Sequence, residues 1–259
     1  MNAIPGIVAV NTFREAVRDR VLYNLIFFAL MMMAAAVLVG GVSIGIERDV
    51  IVNLGLTAIS LFGIVMAIFI GVGLVYKEIE KRTLYSVLAK PIQRWQFLVG
   101  KFVGLLLTLA VNTVLMAIGL SAALFYVTRK FEPGDGTIVI AIYFILLELA
   151  LVTALALFFS CFSSPILSTL YTLGIYVAGM FSPDIRDIGM VTSSPVVKAV
   201  AKVIYYVLPN FHNFNTIAAA AHSETIPLAL IWQNTAYAGL YVVVILIAAS
   251  AMFSGRDLK

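Results

Sequence analysis

Six apolar runs dominate this chain: Leu22–Ser43, Ile51–Tyr76, Phe97–Val127, Thr137–Phe159, Pro165–Phe181 and Leu228–Phe253. A helix needs about 20 apolar residues to cross a hydrocarbon core roughly 30 Å thick. Backbone amides in lipid must pair within the protein, and these runs lack the alternation of a barrel strand, so each is expected to be a helix. Phe97–Val127 is the longest and should tilt or protrude; Pro165–Phe181 is the shortest. Composition agrees: 62% of residues are hydrophobic, 12% are charged and the mean hydropathy is +1.05. Soluble domains run at roughly 45–50% apolar and about 25% charged. The expected fold is an all-α integral membrane protein with six transmembrane helices. A single membrane domain is expected over residues 1–259, with no length left for a sizeable soluble domain. The first run is too long for the apolar core of a signal peptide and is read as a retained span.

The pI of 9.2 and net charge of +4 are explained by topology rather than by nucleic-acid binding. With the N-terminus inside, the inner segments hold Arg14, Arg18, Arg20, Lys77, Lys81, Arg82, Lys90, Arg94, Lys101, Arg256 and Lys259. The outer segments hold only Arg48, Arg129, Lys130, Arg186, Lys198 and Lys202. The excess of inner Lys and Arg places both termini in the cytoplasm of a cell with the protein in its inner membrane. The single cysteine, Cys161, permits no intrachain disulfide and matches no metal-ligand spacing.

Two non-spanning regions carry helical patterns. In residues 9–21, Val10, Phe13, Val17 and Val21 share one stripe while Arg14, Arg18 and Arg20 point elsewhere, as in a helix lying in the membrane interface. In the outer segment 182–227, Ser194 is placed to cap a helix with Pro195 at its first position. Val196, Val197, Val200, Val203, Ile204 and Val207 give that helix an apolar side, to rest on the outer membrane surface or cover the bundle. Pro209-Asn210 should end it, Asn213 to His222 should form a second short helix, and Pro227 should open the last span.

The stretch Tyr76 to Lys101, YKEIEKRTLYSVLAKPIQRWQFLVGK, is strongly charged yet lies between two long apolar runs. Each Lys, Arg or Asp at the centre of a span costs about 2.5–3.5 kcal/mol, so the stretch must lie outside the bilayer. A helix from Tyr76 to Ala89 would set Glu78 four residues ahead of Arg82, the favourable order for an exposed pair. Pro91 forces a break. The result is a compact basic platform suited to a soluble partner. This stretch resembles the cytoplasmic segment after the second span of ABC-2 type transporter permeases. The shared features are Glu78 and Glu80, Thr83-Leu84, Pro91-Ile92-Gln93-Arg94 and Gly100-Lys101. Many members have glycine before the threonine, where this chain has Arg82. The wording is similar to a subgroup associated with multi-copper enzyme maturation, including nitrous-oxide reductase maturation. Leu208-Pro209-Asn210-Phe211 and Phe214-Asn215 are also similar to that subgroup.

The resemblance implies a permease that works with a second permease copy and two ABC ATPase subunits. The 76–96 segment would be the coupling element, with Glu78, Glu80, Thr83 and Pro91 holding its shape. Lys81, Arg82, Tyr85 and Arg94 would face or support the partner, and the Phe13–Arg20 helix would add a second contact. Export is the usual direction in the family, and accessory periplasmic or membrane proteins are further expected partners. The only Gly-Lys, Gly100-Lys101, is followed by Phe102 at a membrane boundary and is no phosphate-binding loop. ATP and Mg are therefore expected on the separate ATPase, with no cofactor, metal or catalytic residue in this chain.

Glu148 stands near the middle of the fourth run, where a carboxylate marks a functional site by default. Asn112, Thr113 and Thr153 are its candidate polar neighbours. Gly41-x-x-x-Gly45 and Gly100-x-x-x-Gly104 have the spacing that lets helices approach closely, within one subunit or at a dimer seam. Met31-Met32-Met33, His212 and His222 suggest copper chemistry, but three adjacent methionines diverge on a helix and the histidines form no known motif. An intramembrane serine protease would need its histidine inside the bundle near Ser121, and both histidines fall in the outer segment. An ATPase-independent channel or structural subunit shares the hydropathy but does not account for the charged motif.

Overall fold

The computed structural model describes residues 4–42, 45–80, 93–130, 133–192 and 194–254. Among them every regular element is helical: α1 (Ile4–Val17), α2 (Arg20–Val42), α3 (Glu47–Glu80), α4 (Arg94–Thr128), α5 (Gly136–Ser160), α6 (Pro165–Met180), α7 (Ser182–Val191), α8 (Pro195–Val207), α9 (Ile217–Ala221) and α10 (Leu228–Ser254). Short 3-10 turns lie at Pro133–Asp135 and Phe211–Phe214. Helices α2, α3, α4, α5 and α10 are each long and apolar enough to cross a membrane. The sixth span exists only as a broken pair, α6 and α7, bent by 57°. At 16 residues, α6 rises about 24 Å, short of a full crossing. The bend has a local cause. Pro183 in the first turn of α7 offers no N–H, and its ring crowds the carbonyl four residues back. The sequence expectation placed a helical segment over 182–227, and its first part is the helix α7, which follows α6 across the bend.

The bundle centres on α3 and α5, the most buried of the spans, with α2 and α10 at its edge. Helix α5 is apolar around its whole circumference, and Phe144, Leu149, Leu151, Val152 and Leu157 are buried on it. That is the pattern of a central helix. The edge helices leave Phe27, Leu38, Leu240 and Ile247 exposed, as a lipid-facing surface requires.

Helix α1 is seated on α4. Ala9, Thr12 and Ala16 form its buried row, and the seat on α4 is Gly100 and Gly104. A Cβ on Gly100 would stand 2.6 Å from the Val8 Cβ, and one on Gly104 would stand 2.5 Å from the Ala9 carbonyl oxygen. The Gly100-x-x-x-Gly104 spacing therefore serves packing within the subunit. Gly41 and Gly45 do not share that role: a Cβ at either meets nothing within 4 Å, and Gly45 lies past the helix end with φ +88°. The N-terminal helix also differs in extent from the expected 9–21, running from Ile4 to Val17, with a turn before α2. On the expected apolar stripe Val10 is exposed and Phe13 and Val17 are half-buried, while the arginines Arg14 and Arg18 are exposed.

At the bundle end opposite the 80–93 connection, Arg48 clamps three elements. Its guanidinium donates to the Ala221 carbonyl at 2.7 Å and to Asp135 Oδ1 at 3.1 Å, tying the start of α3 to α9 and to the start of α5. Asp49 adds His222 at 3.3 Å. Charge-assisted hydrogen bonds at a largely buried site are worth about 1.5–3 kcal/mol each. Arg48→Ala should lower unfolding stability in detergent by about 2–4 kcal/mol. A change within 0.5 kcal/mol would show that the clamp contributes nothing.

The 182–227 segment does not cover the bundle with its long helix. Within α8 only Ala201 is buried; Val196, Val200, Val203 and Val207 are exposed. Ser194 precedes the helix as expected, but its hydroxyl makes no capping bond. The stretch after α8 is what enters the bundle. Phe211 and Phe214 are fully buried, the Asn210 amide N–H donates to the Tyr237 hydroxyl at 2.8 Å and the Asn234 side-chain amide donates to the Asn213 carbonyl at 2.9 Å. The helix expected over Asn213 to His222 is divided between the 211–214 turn and α9.

Candidate functional site

Two places in the sequence were expected to carry function: the charged 76–96 segment and Glu148. In the first, α3 continues as unbroken helix through Glu78 to Glu80, and Arg94 opens α4 directly. Lys81, Arg82, Thr83, Tyr85 and Pro91 lie outside the described residues. The start of α4 is reinforced by Gln96, whose side chain accepts the Gln93 amide N–H at 3.3 Å. One turn further, Lys101 is buried between α1 and α4, with its Nζ 3.8 Å from Glu15 Oε2 and 5.7 Å from the Phe97 ring centroid.

Glu148 is buried on α5, and both of its oxygens are engaged. The Ser60 hydroxyl from α3 donates to Oε2 at 3.2 Å, and the Tyr176 hydroxyl from α6 donates to Oε1 at 3.1 Å. A single carboxylate thus links three helices. Tyr176 is held in turn by Phe211, ring centroids 5.0 Å apart. The carboxylate borders a cavity of about 320 Å³ whose polar lining includes Asn53, Thr57, Ser60, Tyr176 and Asn215.

The expected neighbours of Glu148 are not the ones found. Thr153 donates to its own helix at the Leu149 carbonyl, 2.7 Å away. Asn112 and Thr113 are buried on α4 and do not line the cavity. The Asn112 side-chain nitrogen has no hydrogen-bond partner among the described residues. Ser60 and Tyr176 went unnoticed in the sequence, although a signal existed for Ser60. Asp49, Asn53, Thr57 and Ser60 follow one another at helical spacing in an apolar run.

A helical bundle with five or six candidate spans, a buried carboxylate beside a polar cavity and a charged connection between two of its longest helices defines a multi-pass membrane protein. Residues 7–258 match the ABC-2 family transporter protein family. The chain belongs to that family, as its membrane-embedded permease component and not as a catalytic subunit. Such permeases normally work with an ABC ATPase. No curated protein matches the chain.

Proposed function

We propose that this permease pairs with a second copy of itself and with two ABC ATPase subunits that bind ATP and Mg, and that the assembly exports its cargo. The 76–96 segment is the coupling element, facing the cytoplasm of a cell whose inner membrane holds the protein with both termini inside. Closure of the ATPase dimer presses on this element and tilts the bundle, a rigid-body transition biased by contacts that differ between two states. Glu78, Glu80, Thr83 and Pro91 shape the element, and Lys81, Arg82, Tyr85 and Arg94 set the choice of partner through surface charge. Within the family, the wording of residues 78–101 and 208–215 supports the subgroup associated with multi-copper enzyme maturation.

The observation that carries this reading is the rigidity of the flanks. Helices α3 and α4, of 34 and 35 residues, run without interruption up to either side of the charged connection. Force applied there enters two continuous rods. Charge reversal at both acids, Glu78→Lys with Glu80→Lys, should leave membrane insertion unchanged and abolish ATPase co-purification and stimulation. Unchanged association and stimulation would overturn the coupling role.

A further inference from the structure

The polar residues of α3 form a stripe that the other described residues leave open at its middle and close at Ser60. Asp49, Asn53, Thr57 and Ser60 lie at intervals of four, four and three, so they share one face of the helix. The stripe descends about 16 Å from the Arg48 end of the bundle to Glu148 at mid-span. Asn53 and Thr57 are exposed along it, inside a helix of membrane-spanning composition. Amides and hydroxyls facing hydrocarbon carry an uncompensated desolvation cost, so this face needs water, a polar ligand or a polar partner surface, and the cavities beside it favour water. Two adjoining cavities follow the stripe, about 390 Å³ at the mouth beside Asp49 and His222 and about 320 Å³ at Glu148, and Asn53 lines both.

We infer that the α3 stripe is the wall of a water-filled vestibule, open at the Arg48 end and closed at Glu148, that takes an organic ammonium group against the Glu148 carboxylate. The chemistry of the lining selects that class of ligand. Among the described residues that line the two cavities, the acids are Asp49 and Glu148 and the basic side chain is His222, which pairs with Asp49 at the mouth. Arg48 beside the mouth is held by Asp49 at 3.7 Å and by Asp135 at 3.1 Å, which leaves Glu148 as the acid without a basic neighbour in the lining. Asn53, Thr57 and Asn215 offer neutral polar contacts, and the Tyr176 and Phe214 rings supply faces on which a cation is stabilised. Each Glu148 oxygen receives one hydroxyl donor, which leaves acceptor capacity for a ligand N–H. The vestibule is a property of the bundle and stands apart from the coupling element. With both termini inside, as proposed above, the mouth faces outward, and that one statement rests on the proposed topology.

The chain's single cysteine, buried Cys161, makes the test direct. In a Cys161→Ser background, Asn53→Cys and Thr57→Cys are placed in sealed membrane vesicles and treated with membrane-impermeant thiol reagents, one carrying a quaternary ammonium and one a sulfonate. Both positions should react. At Thr57→Cys the cationic reagent should be preferred at least tenfold over the anionic one, relative to a free thiol in solution. Glu148→Gln should bring that preference close to one. Tetramethylammonium should slow the reaction about threefold, and neutral tert-butanol should not. Ile46→Cys, exposed at the mouth, should react at the same rate with or without Glu148→Gln, which shows that the variant is folded. Silence at 53 and 57 while 46 reacts overturns the vestibule. Equal rates for the two reagents, or a preference that survives Glu148→Gln, overturn the ligand class. Reaction from the cytoplasmic face alone supports the vestibule and overturns the orientation of the termini.

Discussion

Gly104→Val should unseat α1 and destabilise the protein by about 3 kcal/mol, at the upper end of what overpacking costs. The new Cβ would lie 2.5 Å from the Ala9 carbonyl oxygen and 2.7 Å from the Thr12 Cβ. The first of these is backbone and cannot rotate away. Gly100→Val meets the same obstacle through the Pro5 carbonyl at 2.9 Å and the Val8 side chain. Displacing α1 also separates Glu15 from Lys101, whose side chain is nearly fully buried. The measurement is the unfolding midpoint in detergent together with protease sensitivity of residues 4–17. Gly174→Val serves as the control, since a Cβ there meets nothing within 4 Å. Equal stability of the Gly104 and Gly174 variants would show that α1 is not held as described.

Phe211→Ala should cost about 3–5 kcal/mol, the range for emptying a buried aromatic site. Phe211 is completely buried against Tyr176, and the chain beside it packs so tightly on α6 that the Pro209 carbonyl abuts Gly179. The void cannot collapse easily, because Asn210 and Asn213 are anchored to α10 through Tyr237 and Asn234. Tyr176 loses its neighbour, so Glu148 should also lose the fixed direction of one donor. Val191→Ala on the exposed end of α7 should stay within 0.5 kcal/mol of the parent. A Phe211→Ala loss under 1 kcal/mol would show that the 208–216 stretch rests on the bundle without filling it.

The spans were legible because crossing a membrane demands length and apolarity, and both are printed in the sequence. The helix starts at Pro165 and Pro195 were legible for a related reason, since proline tolerates the first helical turn and little else in a helix. What packs against what was far less so. In water an apolar stripe announces the buried side of a helix; in lipid it has two equally apolar destinations. Helix α1 illustrates the ambiguity. Its expected apolar stripe left Val10 exposed, while the row of small residues, Ala9, Thr12 and Ala16, met the glycines of α4. The same limit hid the partners of Glu148. The carboxylate was conspicuous alone in its span, but Ser60 and Tyr176 stand 88 and 28 residues away. Only the assembled bundle brings them to it. The bend between α6 and α7 was not read from the sequence, although Pro183 marks it, since proline suits a first helical turn and disrupts the turn before it.

The lengths of α3 and α4 have a mechanical consequence. At 34 and 35 residues each rises about 50 Å, well beyond a hydrocarbon core of roughly 30 Å. Part of each helix must therefore overhang the core, and in the proposed topology Glu80 and Arg94 stand at the tips of the two overhanging arms. A small sideways displacement at the tips becomes a rotation about the middle of the bundle, with opposite movement at the far ends. On α3 that fulcrum lies near Ser60, where the helix is pinned to Glu148, and the far end is Arg48. In the proposed coupling the bundle would work as a first-class lever: motion delivered at the charged connection would emerge, reversed in direction, at the opposite face.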